Sequence, residues 1–384
     1  MLDILIAGAG PAGLSLARLL SAHGQAIAVL EQQSLDSIAS PAFDGREIAL
    51  TQHSMSLLTD MGVVNHFEHD EFSKLSTASV LNGNSQYRLD FSAPPASDEG
   101  LGFMVSNHAI RRGLFQEVKT QSDVQVMAGV GLQNINVHPD YVQVTTTSGK
   151  QLKSRLLVAA DSRFSAMRKQ MGIGASMTDF GRTMLVCRMA HETPHFDTAY
   201  EIFDWEQTIA LLPLAGNCSS VVITLPTPQI EHLLALDETS FTHEIERRLK
   251  CKLGILQLVS RRFAYPLVAV YANQFIAHRF ALIGDAAVGM HPVTAHGFNL
   301  GLLGAETLAN QLVKVSDAGL KSALSKFERI HKRATLPLYL GTNAIAKLYA
   351  DERLPARLAR RAGLRVANVL SPVKRNVVRR LMSA

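Results

Sequence analysis

Apolar residues run almost unbroken from Leu2 to Ala7, and then the period changes. Ala12–Ala22 repeats its apolar positions at helical spacing, Gly24 interrupts it, and Ala26–Leu30 is again a short apolar run. A strand covered on both faces reads as a continuous apolar run, whereas a helix packed on a sheet shows a period of about 3.6 residues. The pattern predicts a strand–helix–strand unit, whose strands lie parallel because a helix crosses between them. "RRGLFQEVKT" predicts another helix. "YVQVTTTSGKQLKSRLLVAA" predicts two strands about a Ser-Gly turn, the second running into Asp161. Between 183 and 224 helical spacing gives way to "TMLVCRMA", "AYEIFD", "TIALLPL" and "SSVVITL", short strand-like runs separated by turn residues. Successive strands without crossover helices predict an antiparallel sheet inserted into the parallel one. A helical pattern occupies 239–252, "FIAHRFALIGD" returns to the character of the first sheet, and from 317 onward the period is helical.

At 384 residues the chain exceeds what one core usually serves, so two intertwined units are expected. An apolar fraction of 47% is ample for both. Cys187, Cys218 and Cys251 are odd in number and show neither disulfide nor metal-ligand spacing, which suits a reducing cytoplasm. Neither a leader-like segment nor an apolar run long enough to span a bilayer is evident. The net charge of +5 is unevenly spread: from Arg353 to Ala384 there are nine basic and no acidic residues, which leaves the remainder slightly acidic. There Leu354, Leu358, Leu364, Val366, Val369 and Leu370 are interleaved with arginines, with a break at Ser371-Pro372. Two short helices with basic and apolar edges are expected, placing the chain peripherally on the inner face of a membrane or against a partner protein. The tail lacks the aromatic interleaving of nucleic-acid binders, so no nucleic acid is expected.

Gly8-Ala9-Gly10-Pro11-Ala12-Gly13 falls between the first strand and the first helix. Gly8 suits the tight turn, Gly10 a close approach of backbone N–H groups to a pyrophosphate, and Gly13 close helix–strand packing. Glu31 ends the second strand, where an acid can accept the ribose hydroxyls of an adenosine. This unit predicts a dinucleotide, NAD or FAD. The stretch "FALIGDAAVGMHPVTAHGFNLGL" (280–302) distinguishes them. Its strand stops at Gly284-Asp285, and a second acid at a strand end can hold a sugar-like hydroxyl far from the adenosine. FAD carries one on its ribitol; NAD does not. The helix starting at Gly297-Phe298-Asn299 can turn its free N–H groups toward the flavin pyrimidine ring, which gains negative charge on reduction.

With these motifs in place the chain resembles the class A flavoprotein monooxygenases of the para-hydroxybenzoate hydroxylase fold, and within them the ubiquinone-biosynthesis hydroxylases. The resemblance runs from "DILIAGAGPAGLSLA" through "GREIALTQHSMSLLTDMG" and "VSNHAIRRGLF" to "GDAAVGMHPVTAHGFNLGL". It implies an α/β fold: a Rossmann-like FAD-binding domain with an inserted antiparallel-sheet substrate domain and a helical C-terminal tail. Residues 1–72, 99–178 and 267–335 would form the FAD-binding parts, 73–98 and 179–266 the substrate parts, and 336–384 the basic helical region. It also implies that Arg46 lies near the flavin, that Asn107 and Arg111 contact FAD, that Asp285 binds ribitol, and that the backbone at Phe298-Asn299 holds the isoalloxazine. Leu132 and Asp161 complete the cofactor-binding candidates. The family's D-G-x-x-S-x-x-R motif appears as Asp161-Ser162-Arg163-Phe164-Ser165-Ala166-Met167-Arg168, with Ser162 in place of glycine, which is costly if the turn needs a left-handed backbone. Ala295-His296 and Leu303-Gly304 also depart from the usual ubiquinone-hydroxylase sequence. They suggest a distinct subgroup, most like the demethoxyubiquinol hydroxylases.

The implied reaction uses NAD(P)H as transient reductant and O2 to form a flavin hydroperoxide, which an electron-rich phenol or quinol ring attacks. His291, Pro292 and His296, on the loop expected to face the flavin, are the catalytic candidates. The proline presents carbonyls and no donor, and the histidines could relay a proton or hydrogen-bond a substrate hydroxyl. Equally, both histidines could be structural. Trp205 is the only tryptophan, so the Trp-x-Trp-x-Ile-Pro element of flavin halogenases is missing. A flavin-dependent reductase of prenyl double bonds and a hydroxylase of a small soluble phenol remain as alternatives.

Overall fold

A computed structural model describes residues 1–21, 23–82, 88–92, 100–204, 207–292 and 296–350. Trp205, the loop residues 293–295 and the basic tail from 353 to 384 lie outside them. The opening strand, Leu2–Ala7, sits at the centre of a parallel layer between Ile27–Glu31 and Gln151–Ala159. Val124–Ala128 and Phe280–Leu282 extend that layer on its two sides. Register sets where these strands end. Ala7 pairs with both Leu30 and Ala159, and Ala159 with Leu282, so four strands end at one level. Gly8, Glu31, Ala160-Asp161 and Ile283-Gly284-Asp285 therefore all emerge along one edge, where open α/β sheets bind ligands.

Among the described residues the second sheet has nine strands. Ala175–His191 pairs with Cys218–Pro226 on one side and Phe263–Ala272 on the other, and Thr208–Leu214, Thr198–Phe203, Thr77–Asn82 and Arg88–Ser92 continue outward. The pairing is antiparallel except between Thr198–Phe203 and Thr77–Asn82, which run parallel. The strand expected at 183–190 is part of a 17-residue one. With Phe263–Ala272 it spans the junctions expected near 178/179 and 266/267, so the two units share continuous paired backbone there. Val288–Gly289 also pairs with this sheet, which carries the segment after Asp285 from the first layer onto the second.

Alternation decides what each face of the second sheet does. Leu185, Cys187, Ile209, Leu211, Val221 and Ile223 point to one side and pack on the helices Thr227–Ala235 and Glu238–Leu249 through Ile230, Leu233, Phe241 and Ile245. Fully burying such side chains contributes about 1.5–3 kcal/mol each. The first of these helices was not expected from the sequence pattern, and the helix expected from 111 begins earlier, at Asn107. The long helix Leu320–Ala350 continues through Pro337 and anchors Leu324, Phe327 and Tyr339 in the first core. Among the described residues no helix is long and apolar enough to cross a membrane.

Candidate functional site

The first turn is built as its glycines suggested. Gly8 has φ +115°, and a Cβ there would strike the carbonyl of Ala160. A Cβ at Gly13 would strike the carbonyl oxygen of Gly8 and approach the Ala160 Cβ at 3.3 Å, so this glycine lets the helix Pro11–Leu20 close onto the strand end. Gly10 differs: nothing lies within 4 Å of where its Cβ would be. Its surroundings are open cleft, which leaves its backbone accessible to a ligand. The Ala9 N–H donates to Glu31 Oε2 (2.8 Å), and the Gln33 N–H to Glu31 Oε1 (3.0 Å), so the acid also fixes the loop.

Gly8, Ala9, Gly10, Pro11, Glu31, Arg46, Arg111, Leu132 and Asp161 line one cleft of about 510 Å³. That volume lies within the range of cofactor sites. The Gly10 N–H and two guanidiniums as donors, with the acid at the second strand end as acceptor, match an adenosine diphosphate. The residues present therefore fit the nucleotide half of FAD. Ala12 lies behind the cleft, where Gly284, with φ +59°, brings the second Gly-Asp turn so close that a Cβ there would lie 2.8 Å from the Ala12 Cβ. Asp285 is thereby held beside the glycine turn.

Three groups around these residues are not among the candidates that the sequence singles out. Asp44 gathers two of the candidates: its Oδ2 accepts from Arg46 Nη2 (2.6 Å) and from Asn107 Nδ2 (2.8 Å). Burial alone would raise the Asp44 pKa, but the Arg46 guanidinium and the Asn107 amide hold it below the usual carboxylate range. Tyr265, 221 residues away, donates to the Asp44 carbonyl (2.6 Å) and lies 5.6 Å below the Arg46 guanidinium. Arg163 donates to Asp285 Oδ2 through Nη2 (2.8 Å) and Nε (3.2 Å), and so orients the proposed ribitol ligand.

Asp161 Oδ2 accepts from the Ala166 N–H (3.0 Å). Ser162 is absent from the left-handed residues, so the turn that replaces glycine by serine requires no such strain; its Oγ accepts from the Phe164 N–H (3.2 Å). Arg168 is 2% exposed and donates to the carbonyls of Ala286 (2.7 Å) and Arg163 (3.0 Å), which ties this motif to the Asp285 turn.

The helix Gly297–Leu312 starts as expected, with His296 at its cap. Asn299 does more than offer backbone: its Oδ1 accepts from the Thr51 N–H (3.1 Å) and its Nδ2 donates to the Ala49 carbonyl (2.9 Å). Phe298 packs against the first core. His291 and Pro292 line a second, narrower pocket with Arg182, Met184, Glu201, Phe203, Thr208, Ala210, Val222, Thr224 and Ala346. His296 is buried but lines neither pocket. The His291 ring meets Phe180 edge-on at 4.6 Å. Burial, with a smaller contribution from Arg182, pulls the His291 imidazole down to about 4, so it is neutral at neutral pH and handles hydrogen bonds rather than carrying charge.

A family profile described as FAD binding domain matches residues 1–335. Ubiquinone hydroxylase UbiM of Neisseria meningitidis is 41% identical, over 99% of this chain and 84% of its own length. Ubiquinone hydroxylase UbiL of Rhodospirillum rubrum is 32% identical, over 99% and 89% respectively. The solved structure of p-nitrophenol 4-monooxygenase PnpA from Pseudomonas putida shares the fold at a TM-score of 0.78 and 17% identity, covering 100% of this chain and 98% of that one. A dinucleotide cleft at the strand ends, a second acid beside the glycine turn and these likenesses lead to one conclusion: the chain belongs to the FAD binding domain family, as a FAD-dependent monooxygenase of the ubiquinone-biosynthesis hydroxylase branch.

Proposed function

We propose that the chain consumes NAD(P)H and O2 to hydroxylate the electron-rich ring of a polyprenylated ubiquinone precursor. The observation that carries this reading is a single segment, Asp285–Pro292, that runs from the Gly284 turn packed on Ala12, behind the cofactor cleft, to the wall of the second pocket. A ring in that pocket would lie between the second sheet and the cofactor. When bound, FAD supplies the redox chemistry that activates O2 into an electrophilic oxygen. The chain's own residues do the rest. Glu31, the Gly10 amide and Asp285 would hold the cofactor. Met184, Phe203 and Val222 give the ring an apolar bed and exclude water. Pro292 presents no N–H to the reacting region, and neutral His291 can accept or donate one hydrogen bond.

The ubiquinone hydroxylase relatives support a lipid quinol over a small phenol. The basic, apolar-edged tail would bring the enzyme to the anionic membrane surface where such a substrate resides; it lies outside the described residues. Lipid extracts of a strain lacking the gene test the assignment. A ubiquinone precursor short of one ring oxygen is expected to accumulate, and to disappear when the gene is restored. An unchanged quinone profile would refute it.

A further inference from the structure

The second pocket contains an acid that sequence motifs do not single out. Strand register sets two rows of side chains across its floor. Val222, Ala210 and Glu201 are neighbours on three successive strands, and Met184, Thr224, Thr208 and Phe203 on four. These rows lie on the face opposite the sheet's own core, and the loop at His291-Pro292 and the long helix at Ala346 complete the pocket around them. Glu201 is the one carboxylate lining this space among the described residues; the charged or titratable groups beside it are Arg182 and His291. Its own carboxyl makes no hydrogen bond or ion pair among the described residues. Buried polar groups are nearly always satisfied, and a carboxyl left bare in a lined pocket is suited to a partner that arrives with the ligand.

Resting on the quinol assignment above, we infer that Glu201 is the acid–base group of the ring site: it binds a ring hydroxyl and takes its proton. In that step the ring O–H bond breaks and the proton passes to a Glu201 carboxylate oxygen. The electron pair stays on the ring oxygen, and nothing is oxidised or reduced. The resulting phenolate feeds electron density into the ring positions that an electrophilic oxygen attacks. Burial supports this use, since desolvation pushes the Glu201 carboxyl up to about 8, closer to a phenol than an ordinary carboxylate is. Glu201 retains some accessible surface where it lines the pocket.

The test compares FAD-loaded wild type with Glu201→Gln and Glu201→Asp, using a hydroquinone with a short isoprenoid tail and one open ring position. Wild-type kcat should climb with pH toward a plateau above about 8, and Glu201→Gln should lose this climb together with about 100-fold or more in kcat. Glu201→Asp should keep the climb at a reduced rate. A Glu201→Gln enzyme within about threefold of wild type, with the same inflection, would overturn the inference. If wild type leaves the hydroquinone unchanged, the quinol assignment fails, and thermal unfolding judges the acid separately. A carboxyl raised in the fold contributes stability below its unfolded value that is lost as pH rises through its folded value. Glu201→Gln should therefore gain stability relative to wild type between about pH 5 and about pH 8. A constant difference across that range would remove the acid from the pocket and the inference with it.

Discussion

Gly13→Ala should yield a protein that has lost its FAD and much of its stability. The added Cβ would strike the carbonyl oxygen of Gly8, a backbone atom that cannot swing aside, with the Ala160 Cβ blocking retreat at 3.3 Å. Relief requires the helix Pro11–Leu20 to lift from the strand layer, where Leu14, Leu16, Ala17 and Leu20 are fully buried. Overpacking in yielding cores costs about 1–3 kcal/mol, and a backbone collision that unseats a helix belongs at or above the top of that range. Gly10→Ala is the matched control. Its backbone is ordinary, at φ −75°, and the new methyl meets nothing within 4 Å. It should unfold within about 1 kcal/mol of wild type yet bind FAD poorly, because the methyl occupies space that a pyrophosphate approaches. Thermal melts and the flavin absorbance of the purified proteins separate the two. Equal melting of Gly13→Ala and wild type would refute the packing argument.

The second large effect is expected at Arg168. Its side chain is buried and holds the carbonyls of Ala286 and Arg163. Arg168→Ala would leave both acceptors unpaired and open a cavity between the Asp161 motif and the Asp285 turn. Each orphaned buried acceptor costs about 1–3 kcal/mol, so a loss of about 3 kcal/mol in urea unfolding is expected. FAD occupancy should fall as well, since Arg163 orients Asp285. Full occupancy with an unshifted unfolding midpoint would show that the guanidinium is dispensable.

The parts of the site legible in sequence were those whose chemistry is local. Gly8, Gly10, Gly13 and Glu31 fall within one strand–helix–strand unit, and Asp285 is flagged by the strand that stops before it. The parts that escaped depend on contacts far apart in the chain. Asp44 is an ordinary loop acid until Asn107 and Tyr265 reach it from 63 and 221 residues away. Arg163 is one unspecified position of a motif until it meets Asp285, 122 residues on. Glu201 was hidden by the alternation that revealed its strand. In "AYEIFD" a glutamate between apolar residues reads as the solvent side, and only the loop at His291 and the long helix at Ala346 turn that side into a pocket wall. The concern at Ser162 was local and is resolved locally, because its backbone stays outside the left-handed region.

The proposed reaction transfers an oxygen atom from O2 to a ring, and isotopic labelling reads that transfer directly. The FAD-loaded protein would be supplied with NAD(P)H and a short-tailed hydroquinone under isotopically heavy dioxygen, and the product examined by mass spectrometry. The expected product carries a single heavy oxygen on the ring, with one NAD(P)H oxidised per molecule formed. A product that gains two hydrogens and no label, formed equally well without O2, would instead identify a reductase and contradict the hydroxylase assignment.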